Sequence, residues 1–245
     1  MNIETTLQHN EKITPEIPLL TAEQQAGLSK VDSKPATSAR ASAISEMVGV
    51  LVGLKPAALM RDDYIDLEDI EAVGLSYESM DDSGHYAVSK DEAISEDLRD
   101  VFQLSRDEDG QLTTNGHRQI GKLLGYPETA TDYFLKRMDT YDTPEELPLV
   151  RSRSLQGTPG DFLHQFILSA DNSQEEIQNY VMPLVAAVKE LTPNTYHFIE
   201  EESDRDNETR RKQSMVHRKI GKFIRRLVNA ESDPEYVEPK TIYVD

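Results

Sequence analysis

The apolar positions of this chain fall into helical stripes more often than into alternation. From Ala39 onward, Ile44, Met47, Val48, Leu51 and Val52 recur at helical spacing, predicting a helix that Pro56 ends or kinks. Gly49 and Gly53 form a GxxxG pair there, which predicts close helix packing. Ile94, Leu98 and Val101 mark a shorter helix. Asn115 is read as the cap of a helix carrying Ile120, Leu123 and Leu124. Gly125 fits the left-handed position after it, and Pro127 fits the first turn of a second helix that turns Ala130, Tyr133 and Phe134 inward. Together these predict an αα-hairpin. Ser173 and Glu176 predict a capping box ahead of a helix striped by Ile177, Tyr180, Val181, Leu184 and Val188, with a bend at Pro183.

Strand signals are fewer. Residues 76–90 read as strand, Asp/Gly turn, strand around Asp81-Asp82-Ser83-Gly84, and residues 101–114 read as strand or helix end, Asp/Gly turn, strand around Asp107-Glu108-Asp109-Gly110. Leu149-Val150, residues 162–169 and residues 195–200 are further candidate strands, the last two flanking a helix as a βαβ-like unit. The predicted fold class is α+β, predominantly helical. An αα-hairpin region is followed by a small βαβ-like unit and a C-terminal basic amphipathic helix. The predicted divisions are a mobile N-terminal tail over 1–38, a mainly helical region over 39–142, a small α/β region over 143–230 and an acidic tail over 231–245. The first 38 residues hold no aromatic residue and are rich in Ser, Thr and Gln, so little apolar surface is on offer to offset ordering entropy.

Charge changes this picture most. Residues 205–226 carry nine Lys or Arg and two acids, whereas the rest of the chain has 17 basic against 43 acidic residues. Val216, Ile220, Phe223, Ile224 and Leu227 form an apolar face on that segment, and Arg211, Arg218, Lys219, Lys222, Arg225 and Arg226 form a cationic one. Those six are the candidate site for a polyanion or an acidic partner protein. With no cysteine, disulfides, thiolate zinc and thiol catalysis are out of reach. The start lacks the basic and apolar regions of a signal peptide, and the longest apolar run, 47–54, is too short to span a bilayer. A soluble, cytoplasmic protein without a membrane span is expected.

Several catalytic and cofactor motifs come close and fail. Residues 116–123 nearly spell a phosphate-binding loop, but Leu123 stands where a magnesium-binding hydroxyl is needed. Residues 105–116 resemble an EF-hand loop that begins on Ser105 and ends on Gly116, where a bidentate Glu is required. No metal or cofactor is expected. His164 and His197, with Asp161 nearby, would form an acid–base site only if the predicted strands brought them together.

Residues 120–130, containing Leu123-Leu124-Gly125-Tyr126-Pro127, resemble the two-helix core of DNA-binding helix-turn-helix domains. Thr131 departs from the usual branched apolar position, and Glu128 and Asp132 would repel phosphates. The same LLGYP string resembles uncharacterised prokaryotic proteins, a likeness that covers about a tenth of the chain and implies no activity. The leading expectation is a non-catalytic accessory or protein-interaction protein. The alternative is a nucleic-acid-associated protein using residues 205–228 and the LLGYP hairpin, and an enzyme with an unrecognised site comes third.

Overall fold

In the computed structural model, the structure describes residues 17–80, 84–141, 146–209 and 241–244. Helix α2 (Ser38–Leu51) is its axis. Nearly every residue from Ala41 to Leu51 is buried, as expected of a helix apolar on all sides. Around it stand α1 (Ala22–Asp32), a three-stranded sheet, and later helices that return to the same core.

The sheet is antiparallel with order β1-β3-β2, built from β1 (Ala57–Arg61), β2 (Ser76–Ser79) and β3 (His85–Ser89). Helix α3 (Leu67–Ala72) links β1 to β2. Alternation along the strands divides two cores. Ala58, Met60 and Val88 face α2, while Ala57 and Ala87 face a second cluster with Met80, Leu98, Ile120 and Leu124. Leu98 comes from α4 (Glu92–Leu104), Ile120 from α5 (Thr114–Leu123), and α6 (Glu128–Asp139) completes the hairpin.

The mixed, mainly helical class is as expected, and so are the helix at 38–51, the β2–β3 pair and the αα-hairpin, although Thr113, not Asn115, caps its first helix. Several local readings need correction. Residues 22–32 lie in the span read as a mobile tail, yet they form α1. Thr21 and Gln24 make a capping box, Leu28 and Val31 are buried, and a Cβ on Gly27 would collide with the Ala72 carbonyl of α3. The decisive contact is remote. The Asp32 carboxylate accepts from Asn194 N (3.1 Å), Thr195 N (2.8 Å) and Thr195 Oγ1 (2.6 Å), so the end of α1 caps the start of a helix over residues 193–209.

That helix occupies the predicted strand at 195–200. Pro193 stands at its first position, and Ile199 and Ser203, four residues apart, are both buried along it. The other predicted strand, 162–169, is also not one: its start belongs to a short helix, α7 (Pro159–Leu163), and the rest lies outside any helix or ladder. The predicted βαβ-like unit over 162–200 is therefore not formed. Strand β4 (Leu149–Ser152) instead pairs in parallel with β5 (Thr241–Val244), which lies in the predicted acidic tail.

Of the two readings of residues 101–114 the helix end holds: residues 101–104 continue α4, and the second hairpin shrinks to a bridge between Arg106 and Leu112. The predicted Ser173–Glu176 capping box is also absent. Glu176 is buried and accepts from Ser169 N (2.8 Å) and from Thr129 Oγ1, so its carboxylate joins three segments. Helix α8 (Ser173–Glu176) passes through a π-helical turn (Ile177–Val181) into α9 (Met182–Leu191). Pro183 cannot donate to the turn before it, and the wider turn takes up that break.

Candidate functional site

Two helix ends meet back to back at the centre of the site. Helix α2 ends on Gly53 (φ 76°), with Leu54 N returning to Gly49 O at 2.9 Å and Gly53 N to Val50 O at 3.1 Å. Helix α5 ends the same way on Gly125 (φ 70°), with Tyr126 N to Gly121 O at 2.8 Å and Gly125 N to Lys122 O at 3.1 Å. Both are Schellman turns, which a left-handed glycine permits. They press together so closely that a Cβ on Gly125 would stand 3.1 Å from Leu54 O and from Lys55 Cα. Glycine is required there by both conformation and space.

This apposition buries Lys55. Its stem crosses Gly49, where a Cβ would lie 3.0 Å from Lys55 Cδ. Its ammonium is paired with Glu46 of α2 and lies 5.5 Å from the centre of the Tyr126 ring. The two side chains are only 8% and 10% exposed, and Glu46 Oε1 has no hydrogen-bond partner among the described residues. Burial, reinforced by the Glu46 charge, pushes the Tyr126 phenol far above its ordinary range.

Tyr126 divides the surrounding space. On one side a cleft of about 510 Å³ is bordered by Arg118 and Lys122 from α5 and by Glu128 and Asp132 from α6. Arg118 is bonded to Asp132 (3.1 Å), whereas Lys122 and Glu128 pair with nothing among the described residues. On another side a cavity of about 190 Å³ is walled by Leu54, Lys55, Tyr126, Phe166, Asn179 and Tyr180. The rings stand at angles, Tyr126 to Phe166 at 5.8 Å and 46°, Phe166 to Tyr180 at 6.3 Å and 81°. The π-helical turn carries Asn179 and Tyr180 to this rim.

The predicted histidine site does not assemble. His197 lies on the 193–209 helix, 71% exposed, 3.2 Å from a Glu201 oxygen. His164 faces inward at the end of α7 and lines a separate cleft of about 240 Å³ with Asp161, Arg151 and Ser152, without His197. Its Nε2 is buried without a hydrogen-bond partner among the described residues, and its ring meets Phe166 edge-on at 4.8 Å. Burial lowers its pKa against the opposing pull of Asp161 and Glu176.

The predicted cationic residues Arg211, Arg218, Lys219, Lys222, Arg225 and Arg226 lie outside the described residues. Arg205, the described start of that segment, is paired with Glu202. In the loop likened to an EF-hand, Asp107 Oδ1 accepts from Asp109 N (3.0 Å) and Gln111 N (2.8 Å), so it closes the turn. Glu78, Glu92 and Glu96 bring carboxylate oxygens within 4.8 Å of one another, and Arg99 neutralises Glu78 at 2.9 Å.

No family model, curated protein or solved structure matches the chain. Sequence reasoning missed Lys55, Glu46, Asn179 and Phe166 as site residues. One signal was available: Lys55 is the only charge between Met47 and Met60, set between a helix-ending glycine and Pro56.

Proposed function

We propose that the chain is a soluble, cytoplasmic, non-catalytic accessory protein that engages a partner protein through the cleft beside Tyr126. The observation that carries this reading is the rim, on which an unpaired Lys122 and an unpaired Glu128 flank a floor of Leu54, Tyr126 and Tyr180. A mixed-charge rim around a tyrosine-rich centre is the anatomy of a protein interface. The complementary partner segment places an acid opposite Lys122, a base opposite Glu128 and an apolar side chain between them. Catalysis is disfavoured because the buried ions of the site already neutralise one another, Lys55 with Glu46, and no nucleophile stands beside a base there.

The test is a photo-crosslinking residue placed at Lys122 in the full chain, with Glu23 on α1 as the control position, in the cells that make the protein. The expected product is one discrete protein adduct from position 122 alone, lost on Tyr180→Glu, its crosslinked peptide carrying an acid and a base around an apolar residue. Adducts that persist in Tyr180→Glu, or that form equally from position 23, overturn the reading.

A second reading, nucleic-acid binding through residues 205–228, is favoured by the nine cations at 205–226. The LLGYP hairpin adds little to it, since Arg118 is engaged by Asp132 and Glu128 stands at the start of α6. Salt-dependent binding of a generic oligonucleotide, abolished by charge reversal at Arg218, Lys222 and Arg225, would establish it in place of the first.

A further inference from the structure

The cavity on the Lys55 side of Tyr126 has a chemistry that the partner cleft does not need. An ammonium has three N–H donors. That of Lys55 gives one to Glu46 and makes no other hydrogen bond among the described residues, so a residue that lines the cavity keeps donors to spare. The charge, in contrast, is already spent. A bound carboxylate would leave one surplus negative charge beside Glu46 in a site walled by three aromatic rings, which burial penalises strongly. An uncharged acceptor uses the same donors without that cost. Asn179, at the mouth, supplies an amide donor and acceptor not otherwise engaged among the described residues. The rings of Tyr126, Phe166 and Tyr180 offer faces and edges to a flat group. About 190 Å³ is enough for one or two fused rings and too little for a folded peptide.

We propose that this cavity binds an uncharged planar ring bearing a carbonyl group, an aromatic carboxamide or a lactam, with its oxygen on Lys55 and its amide edge on Asn179. The inference does not rest on the partner reading, because the cavity, although it shares Leu54, Gly125, Tyr126 and Tyr180 with the neighbouring cleft, is lined also by Lys55, Phe166 and Asn179 and needs no second protein.

The experiment is a titration of the full ¹⁵N-labelled chain with benzamide and 2-pyridone, against benzoate and benzylammonium, followed through the backbone amides. Benzamide and 2-pyridone are expected to shift Gly53, Gly125 and Asn179 saturably. Benzoate should bind about tenfold more weakly, roughly the loss set by one mismatched charge-assisted contact. Replacing the ion pair as a unit, Glu46→Leu with Lys55→Met, should weaken benzamide by about tenfold while leaving the dispersion of the spectrum intact. If that double variant fails to fold, Asn179→Leu at the exposed mouth carries the test and should weaken benzamide several-fold. Benzoate binding as tightly as benzamide, benzamide shifting only scattered or no amides, or unchanged affinity in whichever variant is folded overturns the proposal. None of these outcomes depends on the crosslinking result.

Discussion

The Lys55–Glu46 pair allows a quantitative test of the site's construction. Replacing Glu46 with Leu removes the one anion that, among the described residues, is bonded to an ammonium whose side chain is 8% exposed. The remaining charge has little freedom to move away, because its stem is held over Gly49. Breaking a buried pair from one side typically costs about 3–5 kcal/mol. Replacing both members with apolar residues of similar volume removes two desolvation penalties along with one attraction, and is typically near neutral. Glu46→Leu alone is therefore expected to lose about 3 kcal/mol or more, and adding Lys55→Met should recover most of that loss. The assay is urea unfolding with a common slope, so that the midpoint shift reads as stability. A single replacement costing under about 1 kcal/mol, or a double variant no more stable than Glu46→Leu, would refute the idea that the pair is a dry, mutually dependent unit.

Three further outcomes follow from contacts described above. Asp32→Ala leaves buried Thr195 without its acceptor and removes a helix cap. It should cost about 2–4 kcal/mol in urea unfolding, with faster hydrogen exchange at the start of the 193–209 helix, and an unchanged midpoint would disprove the remote cap. Gly125→Ala combines a left-handed backbone with a Cβ at 3.1 Å from two backbone atoms, so a loss of about 2 kcal/mol or more is expected, whereas alanine at Gly110, also left-handed but with open space around it, should cost less. His164 is held below its ordinary pKa by burial, so the unfolded chain binds its proton first as pH falls. Stability contributed by neutral His164 should be intact above about pH 6.5 and decline as the pH drops from there to the lowered folded value. Comparing pH–stability curves with those of His164→Gln checks this, and the variant's decline should be shallower.

Much of the architecture was legible where a local pattern and its tertiary use coincide. The stripe from Ile44 to Val52 is buried because it is apolar, and the LLGYP turn closes as its glycine dictates. Three of the failures were cases of remote control. Residues 195–200 look like a strand in isolation, but Asp32, more than 160 residues away, caps them into a helix. The same contact orders α1, whose own composition gave little reason for it. Glu176 matched a capping pattern and was instead drawn to Ser169 and Thr129, partners a local window cannot contain. At the site, glycine and proline announced both turns, yet nothing local announced that the turns would meet. Lys55 and Asn179 become neighbours of one cavity only through that meeting and through the π-helical turn ahead of Pro183.

The parallel pairing of Leu149 with Thr241 has a consequence in time. Strand β4 leaves the ribosome some ninety residues before β5, a lag on the order of ten seconds at ordinary elongation rates. Through that interval the β4 face that later accepts β5 offers bare N–H and C=O groups to any extended chain nearby. One wall of the His164 cleft, formed by Leu149, Val150, Arg151 and Ser152, is likewise without its sheet partner. The nascent protein thus passes through a stage in which its helical body can already be assembled while one sticky edge awaits a late arrival, and a chaperone or a competing strand would act in that window.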